Sequence, residues 1–103
     1  MIIKAHTLPV PVIHELQELG SALRSARVAR GESQASLASR IGVGERTVRS
    51  AEQGDPGVAA GTLVALLWAV GLGGMSGELR RQLDSAQLRP THIRARRRAV
   101  DDF

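Results

Sequence analysis

The sequence predicts an all-α protein of five short helices, and three observations lead there. Apolar residues recur at spacings of three and four along most of the 103-residue chain, which is the period of one helix face. Glycine and proline mostly fall between those stripes, where they mark helix ends and turns. Aromatic residues make up only 2% of the chain while Ala, Leu and Val abound, a mix suited to small, closely packed helices.

The elements follow in order. Residues 1–11, MIIKAHTLPVP, read as an extended arm, because Pro9 and Pro11 disfavour helix in the residues before them. The first helix is predicted over 12–30, with the stripe Ile13, Leu16, Leu19, Leu23 and Ala26, and Gly31 stops it. Ser33 is the expected N-cap of a second helix, 34–41, whose Leu37, Ala38 and Ile41 face inward. Gly42 ends that helix, and Gly44 opens a third over 45–53, which Gly54 ends. GDPGVAAG is a loop by its turn chemistry. A fourth helix is predicted over 60–70 with the stripe Leu63, Leu66, Leu67 and Val70, and a fifth over 76–87. Residues 12–87 then form one domain, and 88–103 a flexible Arg-rich tail.

Composition excludes several classes of function. Without cysteine there is neither a disulfide framework nor a thiolate metal site. His6, His14 and His92 are too scattered to share a metal ion, so neither metal nor cofactor is expected. The longest apolar run, residues 63–72, is about half of the ~20 residues a bilayer span requires. No secretory leader pattern opens the chain, and the expected location is the bacterial cytoplasm, on the nucleoid when bound. No phosphate-cradling glycine loop, cysteine nucleophile or nucleophile elbow occurs, so an enzyme is not expected. The net charge of +4 is uneven, with +1 in residues 1–88 and +3 in residues 89–103. Bulk charge is therefore a weak argument for nucleic acid, and the position of charge must carry it.

Two short helices joined by a tight glycine-containing turn make a helix-turn-helix, with Gly42 supplying the turn. In that arrangement the second helix enters the DNA major groove, where each base pair shows its own donor and acceptor pattern. Ala38 is small where the two helices must approach, and Val48 wedges between them.

The stretch ESQASLASRIGVGERTVRSAEQG, residues 32–54, resembles the Xre or phage-repressor type of helix-turn-helix. The resemblance lies in Ser33-Gln34, Leu37-Ala38, Ile41-Gly42-Val43, Thr47-Val48 and Glu52-Gln53-Gly54, and it extends over about residues 19–72. It implies a lambda-repressor-like five-helix domain that binds a palindromic operator in double-stranded DNA as a homodimer. It also implies that Gln34 contacts phosphate and buttresses the recognition helix, that Thr47 meets phosphate, and that Glu45, Arg46, Arg49 and Ser50 face base edges. Arg27 and Glu52 match a family pair that joins the first and third helices through an internal ion pair. Two departures stand out. Gly44 replaces the usual Ser or Thr cap, and Ala51 is smaller than the Ile or Leu often found there.

Residue chemistry leaves alternatives at several of these positions. Arg46 and Arg49, three apart, share a face and suit the O6 and N7 atoms of guanine, although a solvated helix face is the bland reading. Glu45 either accepts from a cytosine amino group or complements the positive end of its own helix. Trp68 is either core or contact surface. With Val64 it lies off the main stripe of the fourth helix, leaving a helix apolar all round that needs cover on both sides. That favours a dimer or partner interface.

The tail LRPTHIRARRRAVDDF carries Arg94, Arg96, Arg97 and Arg98 and ends in Phe103, the only Phe in the chain. It either adds nonspecific attraction to DNA or docks its aromatic end into a partner's pocket. Together with the overall size and the helix LVALLWAVGL, this tail is similar to those of HipB-type antitoxins. That finer resemblance implies an autorepressing antitoxin that binds a HipA-like Ser/Thr kinase toxin. A stand-alone phage-like or metabolic regulator without a toxin, and an interaction module that has lost DNA reading, are the alternatives.

Overall fold

The computed structural model describes residues 7–86. They form five helices in the order α1 (Val10–Ala29), α2 (Gln34–Ile41), α3 (Glu45–Glu52), α4 (Ala60–Ala69) and α5 (Met75–Ser85), and no strand occurs among the described residues.

α1 begins two residues before the predicted start. Pro9 occupies the N-cap, and the amides of Val12 and Ile13 donate to its carbonyl at 3.0 and 3.1 Å. Pro11 falls in the first turn, where its missing N–H would have had no helical acceptor. This overrides the bias of a pre-proline residue, so Val10 and Pro11 belong to the helix and not to an arm of residues 1–11; residues 1–6 lie outside the described segment. The other departures are at frayed ends. α1 stops at Ala29 with Arg30 as its C-cap, and α3 and α4 each stop one residue early, with Gln53 and Val70 as caps. α5 starts at Met75 and stops at Ser85, two residues short of the expected end.

α2 spans the predicted residues, and its cap works as expected: the Ser36 amide donates to Ser33 Oγ at 3.0 Å. At the other end Gly42 adopts φ 82°, a left-handed conformation that a side chain would strain. Its amide and that of Val43 both return to the Ala38 carbonyl, at 2.8 and 3.0 Å. Gly44 is different. It is extended, caps α3 without a side chain, and receives the Thr47 amide on its carbonyl at 3.0 Å.

Among the described residues, 7–73 make one compact unit and the residues from Gly74 onward, with α5, belong to a second. In the first unit α3 packs on α1 and α2, and α2 packs on α4. The core comprises Leu23 from α1, Leu37 and Ala38 from α2, Val48 and Ala51 from α3, and Leu66, Leu67, Ala69 and Val70 at α4. Leu23, Leu37, Val48 and Leu66 are fully enclosed, each contributing about 1.5–3 kcal/mol relative to exposure. α5 buries no residue, and Leu79 and Leu83 stand exposed one turn apart on it.

Candidate nucleic-acid interface

The position of α3 is set from its inner side. Val48 and Ala51 are buried, three residues apart on one face. α1 meets that face at Gly20, where an added Cβ would stand 2.5 Å from the Ala51 carbonyl oxygen and 2.6 Å from that of Glu52. The backbones therefore approach with no side chain between them. Gly54 repeats this contact at the end of α3: a Cβ there would lie 2.9 Å from the Gln17 backbone. The small Ala51 sits where the backbones of the two helices come together.

Gly20, Leu23 and Arg27 are the buried residues of α1, spaced three and four apart. The close crossing at Gly20 brings Arg27, two turns on, against the end of α3. Arg27 Nε donates to Glu52 Oε2 at 2.6 Å, its Nη2 to Glu52 Oε1 at 3.0 Å, and its Nη1 to the Glu32 carbonyl at 2.8 Å. Gln34 Nε2 completes the cluster by donating to Glu52 Oε1 at 3.0 Å. One carboxylate thus ties α1, α2 and α3 together. Burial pushes the Glu52 carboxyl upward, but the hydrogen bonds from Arg27 and Gln34 and the charges of Arg27 and Arg24 outweigh it and hold its pKa below the usual carboxylate value. The hydrogen bond with Glu52 raises the Arg27 pKa in turn.

A second clamp was not apparent in the sequence. Arg40 Nε and Nη2 donate to Glu32 Oε2 and Oε1 at 3.0 and 2.8 Å, and Nη2 also reaches the Ala69 carbonyl at 2.9 Å. It joins α2 to the last turn of α4 and holds the Glu32 carboxyl below its usual pKa, chiefly through the hydrogen bond. Eight residues separate Arg40 from Glu32 and twenty-nine separate it from Ala69, so no helical spacing announces it. Gly20 likewise reads in the sequence only as a glycine inside a helical stripe.

The outer side of α3 carries the expected polar residues. Glu45, Arg46 and Arg49 are exposed, and Thr47 and Ser50 are half-buried. Arg49 Nη2 lies 3.5 Å from Glu45 Oε1, an ion pair across one helical turn with both side chains about half exposed. Arg46 opens onto a shallow groove with Thr47, Ser50, Asp55 and Val58. That groove is shaped by the loop after α3, where the Asp55 amide donates to the Ser50 carbonyl at 3.0 Å and the Gly57 amide to Asp55 Oδ1 at 2.7 Å. Gln34 sits beside this helix but its amide is turned to Glu52, leaving one hydrogen of the group for another acceptor.

Elsewhere in the same unit, Val64 and Trp68 of α4 are 51% and 69% exposed, and Leu72 after it is 38% exposed. Trp68 is therefore surface and not core. His14 is exposed on α1. His6, His92, Arg94, Arg96, Arg97, Arg98 and Phe103 lie outside the described residues. Among the described residues no helix is long and apolar enough to cross a membrane.

Compared with models of known protein families, with curated proteins and with solved structures, the chain matches none of them.

Proposed function

We propose that this protein is a sequence-specific DNA-binding repressor of the Xre helix-turn-helix type, in which α2, the turn at Gly42 and α3 make the reading unit. One observation carries this: a short helix is held rigidly on its inner side by Val48, Ala51 and the Arg27–Glu52–Gln34 cluster, while its outer side presents Glu45, Arg46 and Arg49 to solvent. The major groove, about 12 Å wide, admits one helix, and a side chain reads bases only when its helix cannot shift. Arg46 offers a guanidinium fork to base or phosphate oxygens. Thr47 and the remaining Gln34 amide hydrogen fix the register on phosphates, which positions without specifying, and Ser50 faces base edges beside Arg46 and Arg49.

The repressor works as a homodimer on a palindromic operator. Residues 56–77 contain no charged side chain, and Val64, Trp68 and Leu72 are exposed within that segment. In a two-fold contact each residue near the axis meets its own copy, so an uncharged apolar face avoids like-charge repulsion. The tail, by its similarity to HipB-type tails, adds a HipA-like Ser/Thr kinase as the partner and makes the protein an autorepressing antitoxin.

The test is binding of the full-length protein to the DNA upstream of its own operon. The wild type is expected to bind with affinity that falls steeply with added salt, and Arg46→Ala to lower affinity by about fivefold or more. Equal affinity and base preference in both proteins would sink the major-groove assignment.

A further inference from the structure

The pair Glu45–Arg49 matches one base pair in particular. Its two groups stand 3.5 Å apart, beyond ordinary hydrogen-bond length, so the carboxylate oxygens and the guanidinium N–H groups keep their capacity for other partners. Side by side they present a cationic donor fork and an anionic acceptor. The complement of that surface is an acceptor beside a donor at about 3 Å separation. In the major groove a G·C pair offers this, with guanine O6 hydrogen-bonded to the cytosine N4 amino group. An A·T pair also sets an acceptor beside a donor, but thymine has only O4 for the arginine. Guanine has both O6 and N7, which the fork engages together.

Resting on the DNA-reading proposal above, we infer that Glu45 and Arg49 read a single G·C pair as a unit, Arg49 donating to guanine and Glu45 accepting from the paired cytosine. Glu45 is then a specificity residue and not a residue that raises affinity. Facing any base edge without a donor, its carboxylate loses water and gains nothing. Toward the phosphate backbone it is repulsive, so it weakens binding to all other sequences. Arg46 has no hydrogen-bond or ion-pair partner among the described residues and supplies the general attraction that Glu45 offsets.

Selection of bound duplexes from a random-sequence DNA library, with the full-length wild type, Glu45→Ala and Arg49→Ala proteins, tests this. Both side chains are about half exposed, and each variant is checked for a retained helical signal and cooperative melting. The expected result is one G·C position in the wild-type motif at which both variants lose preference by about fivefold or more. The rest of the motif persists, and Glu45→Ala binds unselected duplexes more tightly than the wild type. If the wild type selects a motif but Glu45→Ala keeps every preference, or if the two variants affect different base pairs, the inference is overturned while the DNA-reading proposal stands. If the wild type enriches no motif, both fall.

Discussion

Gly20 lies against Ala51 so closely that a methyl group on its α-carbon would stand 2.5 Å from the Ala51 carbonyl oxygen. This contact lets α1 approach α3 with its backbone, and the Arg27–Glu52 pair two turns along depends on the same approach. Gly20→Ala gains about 0.8–1.0 kcal/mol of helix propensity, but the clash is with backbone atoms that cannot rotate away. We expect a net loss of about 1–3 kcal/mol in chemical denaturation. A more stable variant would show that the helices can part without penalty.

The Glu52 carboxylate predicts the acid limb of the stability curve. Its pKa is lowered in the folded chain from the ordinary 4.5, so the unfolded chain binds protons first as pH falls. The stabilisation is present above about pH 4.5 and is lost progressively below it, as pH descends through the folded value. Glu52→Gln should flatten this limb in melting curves taken between neutral and acid pH. An unchanged slope would mean that other carboxylates, Glu32 among them, dominate.

Removing one partner of the pair is costlier than neutralising it. Arg27→Met leaves the Glu52 side chain, only 3% exposed, with Gln34 as its one remaining partner among the described residues. The expected loss is about 3–5 kcal/mol, read from denaturant midpoints at neutral pH. The double variant Arg27→Met/Glu52→Leu should recover much of it, because the buried charge has gone.

Trp68 is the chain's only tryptophan and is 69% exposed in a single copy. In a homodimer formed through this face its emission should shift to shorter wavelength as concentration rises. Sedimentation should report twice the 11.0 kDa chain mass, and Trp68→Lys should bring it back to one chain. A wild type of single-chain mass at all concentrations would remove the dimer from the proposal.

If the chain is the proposed antitoxin, deleting residues 89–103 is expected to weaken capture of a HipA-like kinase more than it weakens dimerisation. The deletion also removes five arginines, so the salt dependence of DNA binding should become shallower. Equal kinase binding by both forms would exclude the tail from partner recognition.

The local rules of the chain were legible in its residues. Ser33 announces the start of α2 and Gly42 its end, and the spacing of Leu37, Ala38, Val48, Leu66 and Leu67 marks the inward faces, because caps, turns and periodicity depend on neighbours a few residues away. The outward set Glu45, Arg46 and Arg49 follows from the same periodicity once Val48 and Ala51 are inside. At the start of α1 two local rules compete, the bias before Pro11 and the tolerance of proline in a first turn, and the second prevails.

Tertiary structure decided what meets across distance in the chain. Trp68 reads as core or as contact surface until α4 is packed, since an apolar helix does not say which side is covered. No local spacing marks Arg40, which reaches Glu32 and Ala69 from α2. Gly20, inside the helical stretch of α1, is where α1 and α3 touch. Composition and spacing determined which helices form and which faces are polar. Only packing determined that Gly20 admits the approach that joins Arg27 to Glu52, because a backbone contact between distant segments has no periodic signature in the sequence.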